Sequence, residues 1–94
     1  MIHPDANLCP PEVKASLERY VDHGIPTGGF LRAVLSNDLV ESFARADLSN
    51  VEAMPHIVAY IYNMVPRGMW GSVDRINLHI ARMREQKGGQ DGRG

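Results

Sequence analysis

What limits this chain most is its punctuation. "GIPTGG" at 24–29, Asn37-Asp38 and "PRGMWGS" at 66–72 cut 94 residues into short stretches, with no internal repeat. Between these breaks, apolar residues recur at helical spacing: Val13, Leu17, Tyr20 and Val21, then Phe30, Leu31, Val34 and Leu35. Val73, Ile76, Ile80 and Met83 repeat the pattern near the end, in alternating steps of three and four. No stretch alternates strictly between apolar and polar, and the flanks of "AYIY" argue for helix over strand. The expectation is an all-α fold: one small domain of about five short helices.

Local signals set the boundaries. Pro10-Pro11 before Glu12 opens a helix over about 10–23, because proline at the first position gives up an N–H that has no partner anyway. Gly24 supplies the stop. The residue before Pro26 is pushed out of helical geometry, so 24–29 reads as a turn. Thr27 is the expected N-cap of a second helix reaching about Ser36. Asp38 with Glu41 forms a capping pair for a third helix over about 39–46, expected to bury Leu39, Val40 and Phe43. Ser49 with Glu52 is a second such pair, opening helix four. Pro55 conflicts with that start, since proline removes one backbone bond and crowds the preceding turn. The helix either kinks there or becomes regular only from Pro55 onward. "IVAYIYNMV" then runs to Pro66, and Ser72 caps the fifth helix. Tyr60 and Tyr62 fall on different faces of helix four, so at least one is left for the surface or a subunit contact. The resulting division is a flexible N-terminus (1–9), a helical domain (10–87) and a disordered tail (88–94).

A chain this short buries only about 60–65% of the surface it exposes when unfolded, so its core is thin. Homo-oligomerisation is the expected remedy, because a single cysteine, Cys9, permits no internal disulfide. "MIHPDANLCPPE" lacks a basic start followed by an apolar run, and no stretch approaches the roughly 20 apolar residues of a membrane span. A soluble protein of a reducing cytoplasm, without membrane contact, is expected. The net charge of −1 divides unevenly. Residues 1–65 set four cations against eight acids (−4), and residues 66–94 set six cations against three acids (+3). A solvated, ion-paired helix face accounts for the basic third, and an anionic contact is the functional alternative.

Catalytic chemistry finds no footing. A nucleophile needs a positioned base and the base needs an orienting group, yet neither Cys9 nor His3 has a partner at a recognisable spacing. His3, His23, His56 and His79 are scattered, without the i, i+4 pairing of a helical metal site. His23 instead suits the negative end of helix one. Helices two and three invite comparison with a helix-turn-helix, but "DLVESFARAD" carries three acids and one cation, which phosphates would repel. Neither a metal nor a cofactor is expected. Two candidates remain. Gly28-Gly29 at a helix start bares amides that suit an anion, with Arg32 close by, although close packing of the turn is the preferred explanation. Trp70, between glycines and near Arg67, can stack a base, although filling the core between helices four and five, with its N–H bonded to a carbonyl, is preferred. The candidate ligand residues are therefore Gly28, Gly29, Arg32, Arg67 and Trp70.

The words "GIPTGGFLRAVLSNDLVESFARAD" and "IYNMVPRGMWGS" carry a longer signature. Over about residues 20–75 the chain resembles a family of short proteins of bacteriophages and related mobile elements. The matching positions are Pro26, Gly28, Gly29, Phe30, Asn37, Asp38, Arg45, Asp47, Asn63, Trp70 and Gly71, whereas Pro55 and His79 depart from the pattern. The family has no settled activity, so the resemblance assigns no functional residue. It implies a phage-type accessory protein in a bacterial host cytoplasm, acting by binding and blunting a host defence. The partner would be an occluded host protein or a sequestered, nucleotide-like anionic signal. The alternatives are a nucleic-acid-associated regulator using the basic C-terminal third, and a phage structural or assembly factor.

Overall fold

The computed structural model describes residues 5–92. They form five α-helices: α1 (Pro11–His23), α2 (Gly29–Leu35), α3 (Leu39–Arg45), α4 (Leu48–Met64) and α5 (Val73–Gly92). Short 3-10 turns at Ala6–Leu8 and Arg67–Met69 precede α1 and α5. No strand occurs among the described residues, so the chain is all-helical.

Each helix begins and ends for an identifiable reason. Pro10 and Pro11 open α1, and Gly24 closes it in the left-handed conformation (φ 68°), its N–H donating to the Arg19 and Tyr20 carbonyls. Asn37 does the same for α2 at φ 67°. Its N–H donates to the Val34 carbonyl and that of Asp38 to the Ala33 carbonyl, the paired bonds that finish a helix at a left-handed residue. Asp38 also starts α3, where its carboxylate accepts from the Glu41 N–H at 3.1 Å. The capping pair is only half formed: the Asp38 N–H that Glu41 would accept from is already bonded to Ala33, and the Glu41 carboxylate pairs with Arg45 at 2.6 Å.

Four boundaries differ from expectation. Thr27 caps nothing; Gly28 is the N-cap of α2, with no side-chain bond. Asp47, not Ser49, caps α4, accepting from the Asn50 N–H at 2.8 Å, so that helix starts earlier than the Ser49–Glu52 pair suggests. Pro55 therefore sits inside a continuous helix rather than at its head. It lies on the exposed side, where a carbonyl deprived of its N–H partner can turn to water. The segment 5–9, expected as flexible, forms a turn capped by Asp5 and held to α4, with the Asp5 N–H donating to His56 Nδ1 at 3.1 Å. Cys9 joins the core. At the other end α5 runs through 88–92, part of the expected disordered tail, since extending an established helix costs far less than nucleating one. Residues 1–4, including His3, and 93–94 lie outside the described residues.

The core gathers Val13, Leu17 and Tyr20 of α1, Leu31 and Leu35 of α2, Ile57 and Ile61 of α4, and Ile76 and Ile80 of α5. Tyr20 is fully buried and joins three elements. Its hydroxyl donates to the Met69 carbonyl at 2.7 Å, while its own carbonyl lies 2.6 Å from Nε2 of buried His79. The two rings meet edge to face at 4.8 Å. The Trp70–Gly71 turn is tied in separately, the Gly71 N–H donating to the Leu35 carbonyl at 2.6 Å.

Burial pushes the Tyr20 hydroxyl up to about 12, against a smaller opposing pull from Arg32. The neutral phenol is thus favoured in the fold, and its stabilisation is complete below pH 10, the unfolded value, and lost as pH rises through 12. Unfolding free energy is expected to fall by about 2–3 kcal/mol across that window. Chemical denaturation at about pH 9 and about pH 12 checks this, with Tyr20→Phe as the variant that lacks the extra alkaline loss. Gly24→Ala is expected to cost about 2–4 kcal/mol, from left-handed strain plus displacement of α5. An added Cβ would lie 2.5 Å from Met83 Cβ, which is anchored to the backbone and cannot swing aside. Thermal unfolding of the variant measures that cost.

Candidate functional site

The helix α3 does not do what its apolar residues suggest. Of its seven residues only Ser42 is buried, with its hydroxyl donating to the Asp38 carbonyl at 2.6 Å. Leu39 and Val40, expected in the core, are 70% and 79% exposed, and Phe43 is also exposed. The reason is geometric. Asn37 and Asp38 turn α3 immediately after α2, while α1, α2, α4 and α5 already enclose the core.

The exposed side of α4 completes the surface. Met54, Ile57 and Ile61 face the core, while Leu48, Val51, Val58 and Tyr62 are exposed. Between α3 and α4 lies a groove of about 690 Å³, lined by Leu39, Phe43, Val51, Pro55, Val58 and Tyr62 among others. No charged residue lines it, and Asn63 is its one polar neighbour. Isolated exposed apolar residues are ordinary, but a continuous set along two adjacent helices marks a contact surface.

One end of the groove meets Trp70. Val58 and Tyr62 also line a smaller recess of about 80 Å³ together with Val34, Asn37, Ile61 and Trp70. The Tyr62 and Trp70 rings make an edge contact at 6.3 Å, and the Arg67 guanidinium sits 5.1 Å from the centre of the Trp70 ring. Trp70 packs on the core, as the preferred explanation requires. Its indole N–H, however, is buried without a partner, where a bond to a carbonyl was expected. The neighbouring carbonyl of Trp70 itself is taken by Arg75, whose Nη1 donates to it at 3.3 Å and to the Arg67 carbonyl at 3.4 Å.

The glycine pair divides between two places. Gly28 borders a shallow recess of about 290 Å³ that also contains Glu12 and Asp47, carboxylates that oppose an anion. Gly29 borders another, of about 310 Å³, with Arg32, Asp38, Glu41 and Arg45. A Cβ on Gly29 would stand 2.9 Å from Arg45 Nη1, so this glycine lets the Arg45 side chain lie across the start of α2. Arg32 reaches α5, donating through Nη2 to Asn77 Oδ1 at 3.2 Å. The candidate residues therefore form two separate pairs, Gly29 with Arg32 and Arg67 with Trp70, while Gly28 borders a third recess. No single recess contains all five.

No family model, curated protein or solved structure matches this chain. Its own geometry must carry the functional reading. Among the described residues, no three of His, Cys, Asp and Glu are grouped to hold a metal ion, and no helix is long and apolar enough to cross a membrane. Burial pushes the Cys9 thiol up, with Lys14 pulling the other way, and the thiolate needed for nucleophilic attack is correspondingly disfavoured.

The residues of the groove are not evident from sequence, except Tyr62, whose surface position is one of the two alternatives for the tyrosines of α4. A signal for them does exist. "IVAYIYNMV" is apolar nearly all round, and a helix of that kind on a small domain leaves a second face uncovered. The two glycines can be told apart by substitution. Gly28→Ala meets open space at an unstrained φ of −66°, but alanine is a poorer N-cap than glycine, so it should cost about 0.5–1 kcal/mol. Gly29→Ala should be neutral or stabilising by up to about 1 kcal/mol, since Arg45 can swing clear and a helical glycine is relieved. Thermal unfolding of both variants checks the pair.

Proposed function

We propose that this protein is a phage-type accessory binding protein that acts in a bacterial host cytoplasm by polypeptide contact, without catalysis. It counteracts a host defence by occluding a host protein. The observation that supports contact with another polypeptide is the uncharged apolar groove between α3 and α4. A groove of that composition offers area and shape to an apolar helix but no fixed polar groups to orient a small substrate. The phage setting rests on the sequence signature described above.

Sequestration of a nucleotide-like anion is the less supported version. The Gly28 amide shares its recess with two carboxylates, and Arg32 is already engaged by Asn77. The Arg67–Trp70 pair favours it, because an exposed guanidinium and an indole together suit a base and a phosphate, whereas the Gly29 recess sets Arg32 and Arg45 against Asp38 and Glu41. The nucleic-acid alternative draws on Arg75, Arg82 and Arg84 of α5, of which Arg75 is occupied by loop carbonyls.

The deciding experiment expresses variants in bacteria whose defence system restricts a phage. Wild type restores plaque formation, the double variant Val58→Asp/Tyr62→Asp loses at least tenfold of that effect, and Arg32→Ala and Arg67→Ala retain it. Both groove positions are exposed, so circular dichroism should show the double variant folded. A variant that is folded and fully active removes the contact reading. A thermal shift with cyclic or linear nucleotides that Arg32→Ala or Arg67→Ala abolishes would replace it with sequestration. Salt-dependent DNA or RNA binding would replace it with the regulator.

A further inference from the structure

The exposed face of α4 has a register of its own. Leu48, Val51, Pro55, Val58 and Tyr62 follow one another in steps of three, four, three and four, the spacing of a two-helix seam. All five are exposed, and they run the length of the helix on the face next to its core-facing Met54, Ile57 and Ile61, roughly 100° around the axis. We infer that this seam packs against the same seam of a second copy of the chain, with the two α4 helices antiparallel and Pro55 at the two-fold axis. The inference rests on the groove being a polypeptide-docking surface and names what covers it, a second copy, so that the host protein is met by the paired form.

Three observations favour a second copy over an unrelated partner. The seam is self-complementary about Pro55: reversing the helix brings Leu48 opposite Tyr62 of the copy and Val51 within one residue of Val58. This is the self-matching that a two-fold contact requires. α4 carries a single charged residue, Glu52, so little repels an identical helix and nothing on it selects a partner of opposite charge. The area is also sufficient. Weighted by their exposures, Leu39, Phe43, Leu48, Val51, Val58 and Tyr62 offer on the order of 700 Å² per copy, against roughly 800 Å² per partner in a standard interface.

Sedimentation equilibrium of the full chain tests this. The expected mass is twice 10.4 kDa or an even multiple of it, halved by Val58→Asp with helicity unchanged. In a Cys9→Ala background, Pro55→Cys should form an interchain disulfide under mild oxidation at least tenfold faster than Leu78→Cys, an exposed control on α5. A wild type that stays at 10.4 kDa at its highest soluble concentration overturns the inference, as does an odd multiple or equal cross-linking at Pro55 and Leu78. A monomeric wild type whose plaque-restoring effect is nevertheless lost in Val58→Asp/Tyr62→Asp would end the second-copy inference alone. A dimeric wild type that keeps its full effect when the folded double variant is monomeric would end the functional reading alone.

Discussion

The burial of Tyr20 is the constraint on which the rest of this fold depends. A phenol without solvent must find an acceptor for its hydroxyl, and Met69 supplies one. That bond fixes the loop between α4 and α5 against α1. On the backbone side the Tyr20 carbonyl meets His79, which sets α5 across the same helix. One side chain and its own peptide group thus hold the first and last helices together with the loop between α4 and α5. Gly24, one turn later, lets α5 approach where a Cβ would collide with Met83. In a core this small there is no second layer to compensate if the arrangement fails.

With α1, α2, α4 and α5 fixed around Tyr20, α3 has nowhere to go but the outside. Its apolar residues are therefore left exposed by topology rather than by a lack of hydrophobicity. The same enclosure uses only one face of α4 and leaves the other free. The groove is what remains of this division: two helices supply more apolar surface than one small core can take in.

The sequence was most informative where a single residue determines a backbone conformation. Gly24, the Asn37-Asp38 break, the proline start of α1 and the Ser72 cap, whose hydroxyl accepts from the Arg75 N–H at 3.2 Å, all act within a turn of themselves. It was less informative where two candidates of the same chemistry compete. Asp47 and Ser49 are both good cap residues, and the fold uses the former, whose carboxylate accepts from the Asn50 N–H. It misled where burial depends on what else is already inside, as with Leu39, Val40 and Phe43. Gly28 and Gly29 illustrate the same limit within one dipeptide. One faces open space beside carboxylates and the other makes room for Arg45, a distinction set by α1, α3 and α4 rather than by neighbours in the chain. Periodicity identifies an apolar face but not what lies opposite it.

The contact between Tyr62 and Trp70 gives the molecule an optical consequence. Trp70 is the only indole in the chain, its N–H is shielded from water, and its ring is flanked by a guanidinium and by a phenol that lines the groove. Its emission thus reports on one particular neighbourhood rather than an average over many. A polypeptide that covers the Tyr62 end of the groove changes the surroundings of the adjacent indole without any label. Occupancy of an otherwise featureless apolar surface becomes visible as intrinsic fluorescence.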